Sequence, residues 1–213
     1  GKEINDETYA ICKSDMMIKG DNPENIRVGS TLSTDEFTGT QFDFMLSNPP
    51  FGVTWGGKDG YETDAKKLQK TRYQAGMPRV NDGALLFLQT MLAKMKAPDK
   101  GASRIAIIFN GSPLSNGDCG SGESEIRRWI LENDWLDAIV MLPDQLFYNT
   151  GIFTYIWLLR NDKPDSHKGK VMLIDARLQY EKEPKSFGNK RNRMVDEHRD
   201  WIQDRYQNGW AAD

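Results

Sequence analysis

The sequence predicts an α/β fold, a mostly parallel sheet flanked by helices with an antiparallel hairpin at one edge. Three observations carry that prediction. Two apolar runs, residues 42–47 and 104–109, are nearly continuous rather than alternating, as strands covered on both faces of a parallel sheet are. Between them Leu85, Leu86, Leu88, Met91, Leu92 and Met95 recur at helical spacing, so strand, helix and strand follow one another. The link between the apolar runs 136–142 and 153–159 is short. A parallel crossover needs a dozen or more residues, so these two strands are expected to pair antiparallel.

Taken in order, the chain opens with Gly1-Lys2-Glu3-Ile4 and passes at once into a helix. Asn5 is the expected N-cap, Asp6 and Glu7 suit the first turn, and Gly20 suits the end. A short strand is expected at residues 25–29, then a polar link to the run at 42–47. Residues 52–81 are rich in glycine and lack periodicity, which predicts a long loop. Its cations Lys58, Lys66, Lys67, Lys70, Arg72 and Arg79, with Tyr61 and Tyr73 between them, suit either a solvated loop or one that tracks a phosphate backbone. Residues 110–117 are turn-forming, a helix is expected over 123–133, and a further strand at 170–174 extends the sheet. Beyond Gln179 charge dominates, with a weakly amphipathic helix over 194–206. The expected organisation is one catalytic domain over 1–180 and a charged helical segment over 181–213.

Composition narrows the function classes. Charged residues form 28% of the 213, hydrophobic ones 38%, and the formal net charge is -3. That describes a globular protein and excludes a generally basic nucleic-acid coat, though not a local basic surface. No stretch approaches the ~18 apolar residues of a membrane span and no signal peptide opens the chain, so the cytoplasm is expected. Cys12 and Cys119 form neither a metal spacing nor a disulfide framework, and His167 and His198, both in charged segments, are expected at the surface.

Chemistry concentrates where the run 42–47 stops, at Asn48-Pro49-Pro50-Phe51. Neither proline can donate a ladder hydrogen bond, and each biases its predecessor towards extended backbone, so the chain leaves the sheet stiffly. In an α/β sheet such a corner, at the carboxyl end of a strand, is where ligands bind. An ordinary strand-ending turn would also read this way.

This tetrapeptide resembles the catalytic motif of the amino-group DNA methyltransferases that make N6-methyladenine. The wider pattern comprises Gly1-Lys2-Glu3-Ile4-Asn5, Asp82-Gly83-Ala84-Leu85, Phe109-Asn110-Gly111-Ser112-Pro113-Leu114 and Leu142-Pro143-Asp144-Gln145-Leu146-Phe147. Together these resemble the modification subunit of type I restriction-modification systems, to about residue 180. The resemblance implies a Rossmann-like methyltransferase fold using S-adenosylmethionine and no metal. It also implies that duplex DNA is the substrate, and that a sequence-specificity subunit and a restriction motor subunit are partners.

The adenine amine is a poor nucleophile, because its lone pair is delocalised into the ring. By the resemblance, the Asn48 side-chain oxygen and the Pro49 carbonyl accept its two hydrogens, Pro50 stiffens the corner, and the lone pair is turned towards the methyl donor. The base must leave the duplex, so aromatic faces replace its lost stacking. Phe51 is expected to supply one and Phe147 the other, with Tyr148 as a substitute. On the cofactor side the resemblance assigns Glu3 to the ribose hydroxyls, Ile4 to an apolar wall for the adenine, and Ser30 and Thr31 to the adenine-contacting turn. Asn48 and Phe51 border the cofactor as well. Gly29-Ser30-Thr31 departs from the family's usual Gly followed by Asp or Asn. The family's glycine-rich first motif has no counterpart, so the chain reads as an internal fragment that starts after the first strand and is inactive alone. Two rivals remain: methylation of a protein glutamine or an rRNA base, and a non-catalytic scaffold that keeps the fold and binds DNA or a partner.

Overall fold

A computed structural model describes residues 1–57 and 60–211; Lys58 among the loop cations, its neighbour Asp59, and the last two residues of the expected C-terminal segment lie outside the described residues. The elements begin with β1 (Lys2–Glu3), α1 (Asp6–Lys19), β2 (Arg27–Val28) and β3 (Phe44–Ser47). Next come α2 (Glu62–Lys67), α3 (Ala84–Leu92), β4 (Arg104–Phe109), α4 (Ser112–Ser115), α5 (Gly122–Glu132), β5 (Leu136–Met141) and β6 (Tyr155–Arg160). β7 (Met172–Asp175), β8 (Glu181–Phe187), β9 (Lys190–Arg193) and α6 (Asp196–Asn208) complete them.

Local signals explain the helix ends. The Asn5 side chain accepts from the Thr8 amide, and Gly20 closes α1 at φ +78°, the left-handed conformation glycine adopts without strain. Ser121 caps α5 by accepting from the Ser124 amide.

The main sheet has the order β3-β4-β6-β5-β7. β3 and β4 are parallel, as are β5 and β7, while β6 runs antiparallel to both β4 and β5. Four strands therefore point one way. The antiparallel pairing of β5 with β6 matches the expectation, but its place does not. β6 is the middle strand, between β4 and β5, rather than half of an edge hairpin. Its residues fit that place, since Trp157 and Leu159 are buried and bring a continuous apolar face to the core.

Strand β3 requires a second correction. It lies at the sheet edge, with Phe44 73% and Leu46 84% exposed, rather than buried on both faces. Helices α3 and α5 cover one face of the sheet, where Leu85, Leu88, Ile126 and Ile130 pack on Ile105, Ile107, Phe109 and Trp157. Met45 joins that core. On the opposite face α6 packs through Trp201, Ile202 and Tyr206 against Val140, Leu142 and Ile174, covering only the β5–β7 half. β1 and β2 form a separate parallel pair.

The loop 52–83 is a packed substructure rather than an open excursion. The Gly83 amide donates to the Val53 carbonyl at 2.9 Å, closing its ends. Trp55, Ala65 and Tyr73 are buried with Leu32 and Leu86 as a core of their own. Residues 181–193, expected as part of a helical segment, form the β8–β9 hairpin, and only α6 beyond it is helical. Neither histidine is a free surface group. His167 stacks on Trp210 at 3.5 Å and lies 3.2 Å from buried Asp137, while His198 Nδ1 accepts from the Val195 amide. No helix among the described residues is long and apolar enough to cross a membrane.

Candidate active site

The carboxyl ends of β1 and β3 face each other across a cavity of about 590 Å³. Glu3 and Thr31 line one wall and Phe44 to Pro50 the other, with Phe87, Thr90 and Met91 of α3 between them. Pairing leaves one edge of β1 and one edge of β3 unmatched, and both edges border this cavity.

At the Asn48 corner the chain turns as its residue types dictate. Pro49 is buried, whereas Asn48 and Pro50 are exposed. Among the described residues no donor reaches the Asn48 side chain or the Pro49 carbonyl. Two acceptors one residue apart are thus held at the cavity wall with free lone pairs. Phe51, half-buried, follows directly but is not part of the cavity lining.

Glu3 is partly committed. Its Oε1 accepts from the Ile4 and Asn5 amides, each at 2.8 Å, which fixes the carboxylate beside the start of α1. Ile4 is 56% exposed and Ser30 Oγ accepts from the Leu32 amide; neither lines the cavity. Thr31 does line it, and its carbonyl accepts from Arg72. The structure thus brings Asn48, Pro49, Pro50, Glu3 and Thr31 to one space. Phe147 is elsewhere: it packs beside Val140, Leu142 and Ile174, turned to the β7 side of the sheet.

Sequence reasoning missed the cationic frame of this site. Arg72, 5% exposed, donates to the carbonyls of Thr31 at 2.9 Å and Thr34 at 3.3 Å. Lys2 donates to the carbonyls of Ser30 and Thr34, and Lys94 to Asp35 and the Phe37 carbonyl. Burial is the main influence on Lys2, and with Arg72 nearby it holds the ammonium below the usual lysine range. Asp35 is held below its ordinary value although burial opposes this, because the Lys94 hydrogen bond and charge prevail. Three cations therefore pin the segment 30–37 that carries Thr31. A readable signal existed for the α3 wall, since Phe87, Thr90, Met91 and Lys94 recur at i, i+3, i+4 and i+7. A second, more open cleft of about 670 Å³ lies between the loop 52–83 and residues 117–123. Its charged lining comprises the Arg79–Glu123 pair at 2.8 Å, the Lys66–Glu62 pair at 2.6 Å and Asp118. Among the described residues no group of three or more His, Cys, Asp or Glu could hold a metal.

The mixed, mostly parallel α/β sheet defines a Rossmann-like fold of the doubly wound type, with Asn48 after its edge strand β3 and Glu3 on the neighbouring β1 bordering one cavity. The sequence matches the N-6 DNA Methylase family over residues 1–213, and the chain belongs to that family. It is 28% identical to the type I restriction enzyme MjaVII methylase subunit of Methanocaldococcus jannaschii, covering 98% of this chain and 35% of that protein. It is 31% identical to the HindI methylase subunit of Haemophilus influenzae, covering 83% of this chain and 37% of that one. The solved methyltransferase subunit of a type I restriction-modification system from Streptococcus thermophilus superposes with a TM-score of 0.81 at 25% identity, covering 98% of this chain and 41% of that structure. The chain thus spans about a third of the length of the curated relatives it matches.

Proposed function

We propose that these residues form the base-handling half of an adenine-N6 DNA methyltransferase, the modification subunit of a type I restriction-modification system acting in the cytoplasm with a specificity subunit and a motor subunit. The observation that carries this reading is the pair of unsatisfied acceptors, Asn48 Oδ1 and the Pro49 carbonyl, on a cavity whose facing wall bears Glu3. Bound S-adenosylmethionine would supply an electrophilic methyl group. Asn48 and Pro49 accept the two hydrogens of the target amine and direct its lone pair at that methyl, which is positioning and electrostatics rather than proton abstraction. Phe51 stacks on the flipped base. Phe147, whose corner follows the carboxyl end of β5 on the same side of the sheet as Asn48, is the candidate for the second face.

The residues present fit the nucleoside half of the cofactor. Glu3 Oε2 is left to accept from a ribose diol, Thr31 borders the adenine end, and Ile4 and Ser30 support that turn. The methionine half finds no glycine-rich turn among the lining residues. A strand from another part of the longer protein, set between the open edges of β1 and β3, would supply that turn and cover Phe44 and Leu46.

The test uses the full-length protein with its partner subunits and duplex DNA. Asn48→Ala is expected to lower methyl transfer by about 10²–10³-fold, the scale of removing one preorganised polar contact from a transition state. Cofactor affinity should change less than about threefold, well under 1 kcal/mol. Retained transfer would overturn the role of Asn48.

A further inference from the structure

Residues 180–193 differ electrically from the rest of the chain. The whole carries a formal charge of -3, yet this stretch has the cations Lys182, Lys185, Lys190, Arg191 and Arg193 against only Glu181 and Glu183. Both carboxylates are already paired, Glu183 with Lys190 at 3.1 Å and Glu181 with Arg193 at 2.5 Å. Lys182 donates to the neutral Asn192 amide oxygen, which leaves its charge uncompensated. Lys185 and Arg191 are exposed. Neither joins an ion pair among the described residues. Beside them Phe187 and Tyr148, 50% and 61% exposed, meet edge to face at 6.4 Å.

This surface is fixed in place. Amides of Asn189, Arg191 and Asn192 donate to the Tyr148 and Gln145 carbonyls at 2.9–3.1 Å, and the buried Asn192 side chain donates to the Asp144 carbonyl at 2.8 Å. Gly188 makes the close approach possible: at φ +60° it starts the two-residue turn, and a Cβ there would stand 3.0 Å from the Tyr148 carbonyl.

The hairpin also shares a rim with the Asn48 corner. It follows the carboxyl end of β7, and Asn48 follows the carboxyl end of β3, with both strands pointing the same way at opposite edges of one five-stranded sheet. Four strand spacings of about 4.8 Å put β3 and β7 roughly 19 Å apart, and the hairpin is held against the corner after β5, between them.

We propose that the β8–β9 hairpin, through Lys185, Arg191 and the neighbouring Tyr148, grips the phosphate backbone of duplex DNA beside the segment that carries the flipped nucleotide. The proposal rests on the DNA methyltransferase reading above. Such contacts position the duplex along the rim and carry no sequence information.

The test measures the salt dependence of duplex binding by the full-length protein with its partner subunits. Each phosphate contact contributes about 0.9 to the slope of log affinity against log salt, so K185A/R191A should reduce the slope by about 1.8. Methyl transfer at saturating DNA and cofactor affinity should be unchanged. K168A, which removes an exposed cation in the loop preceding β7, should leave the slope as it is. An unchanged slope in the double variant overturns the proposal while the methyltransferase reading stands. Weaker binding of the specificity subunit at unchanged slope also overturns it and makes the hairpin a protein interface. A wild-type complex with no salt-dependent duplex affinity overturns both.

Discussion

The loop 52–83 and the hairpin 180–193 are both cation-rich, and they use those cations in opposite ways. In the loop, Lys66 and Lys67 pair with Glu62 and Asp64, Arg79 pairs with Glu123, and Arg72 is buried on backbone carbonyls. In the hairpin, Lys185 and Arg191 point into solvent without a carboxylate partner among the described residues. The difference comes from the apolar residues between the charges. Trp55, Ala65 and Tyr73 give the loop its own core, which draws the chain inwards and leaves buried Arg72 on carbonyl acceptors, while Lys70 stays exposed. The hairpin has only Phe187 and one edge of Tyr148, so Lys185 and Arg191 stay in solvent while Lys190 and Arg193 pair with Glu183 and Glu181. Of the loop cations expected to face either solvent or a phosphate backbone, Arg72 is buried, Arg79 is paired, and Lys66, Lys67 and Lys70 are exposed.

Arg72→Met gives the largest expected effect and the sharpest test of the contrast. It leaves the Thr31 and Thr34 carbonyls without their guanidinium donor and Asp35 with Lys94 as its remaining close cation. Losing a buried charged donor of this kind costs about 2–4 kcal/mol. Urea unfolding of the full-length protein should show that loss, with weaker cofactor binding because Thr31 moves, and Arg72→Lys should restore part of both. Lys185→Ala should stay within about 0.5 kcal/mol of wild type, as exposed substitutions do. Equal effects at the two positions would erase the distinction between inward and outward cations.

Gly188→Ala sharpens the comparison from the other side, because it keeps every cation of the hairpin and disturbs only its seat. A side chain at φ +60° costs about 1–2 kcal/mol, and the Cβ would press on the Tyr148 carbonyl. Amide hydrogen exchange at residues 189–192 should accelerate about 10-fold, while β4 and β6 keep their protection. If the hairpin holds DNA only when seated, the salt slope should fall as well. A fall in affinity at constant slope would mean that the charges act without being fixed.

What the sequence made legible was local. The cap at Asn5, the stop at Gly20, the helical repeat from Leu85 and the Asn48-Pro49-Pro50 corner each follow from a few neighbouring residues and are found where expected, although α3 ends at Leu92, before Met95. Strand order was not legible. The short link between β5 and β6 fixes their antiparallel pairing but says nothing about whether β6 also meets β4. The apolar run at Phe44 and Leu46 correctly reported residues suited to burial, yet the face they present has no cover among the described elements. The packing of Phe147 on the β7 side was not legible for a related reason. Which way its corner leans depends on hydrogen bonds from Arg191 and Asn192, more than forty residues later, that no local pattern announces.

The smallest expected effect is a pH dependence that belongs to the loop and not to the hairpin. Burial opposes ionisation of Glu123, but the Arg79 amide at 2.9 Å and guanidinium at 2.8 Å outweigh it and hold the carboxyl below its usual 4.5. A carboxylate depressed in the folded state stabilises the fold above its unfolded value, and that contribution disappears as pH falls through the lower folded value. The seating of Met77 to Arg79 against the start of α5 should therefore loosen below pH 4.5. The approach there is tight, since a Cβ on Gly122 would stand 1.7 Å from the Met77 carbonyl. Glu123→Gln should flatten this acid dependence, at a stability cost smaller than that of Arg72→Met. Exchange at the amides of Met77, Arg79 and Val80, followed from pH 7 downwards, should rise in wild type and lose its pH dependence beyond that of intrinsic exchange in the variant, while amides 189–192 follow one profile in both proteins. A variant that retains the full acid dependence would mean that the Arg79–Glu123 pair does not hold the loop, and its cations would then be as free as those of the hairpin.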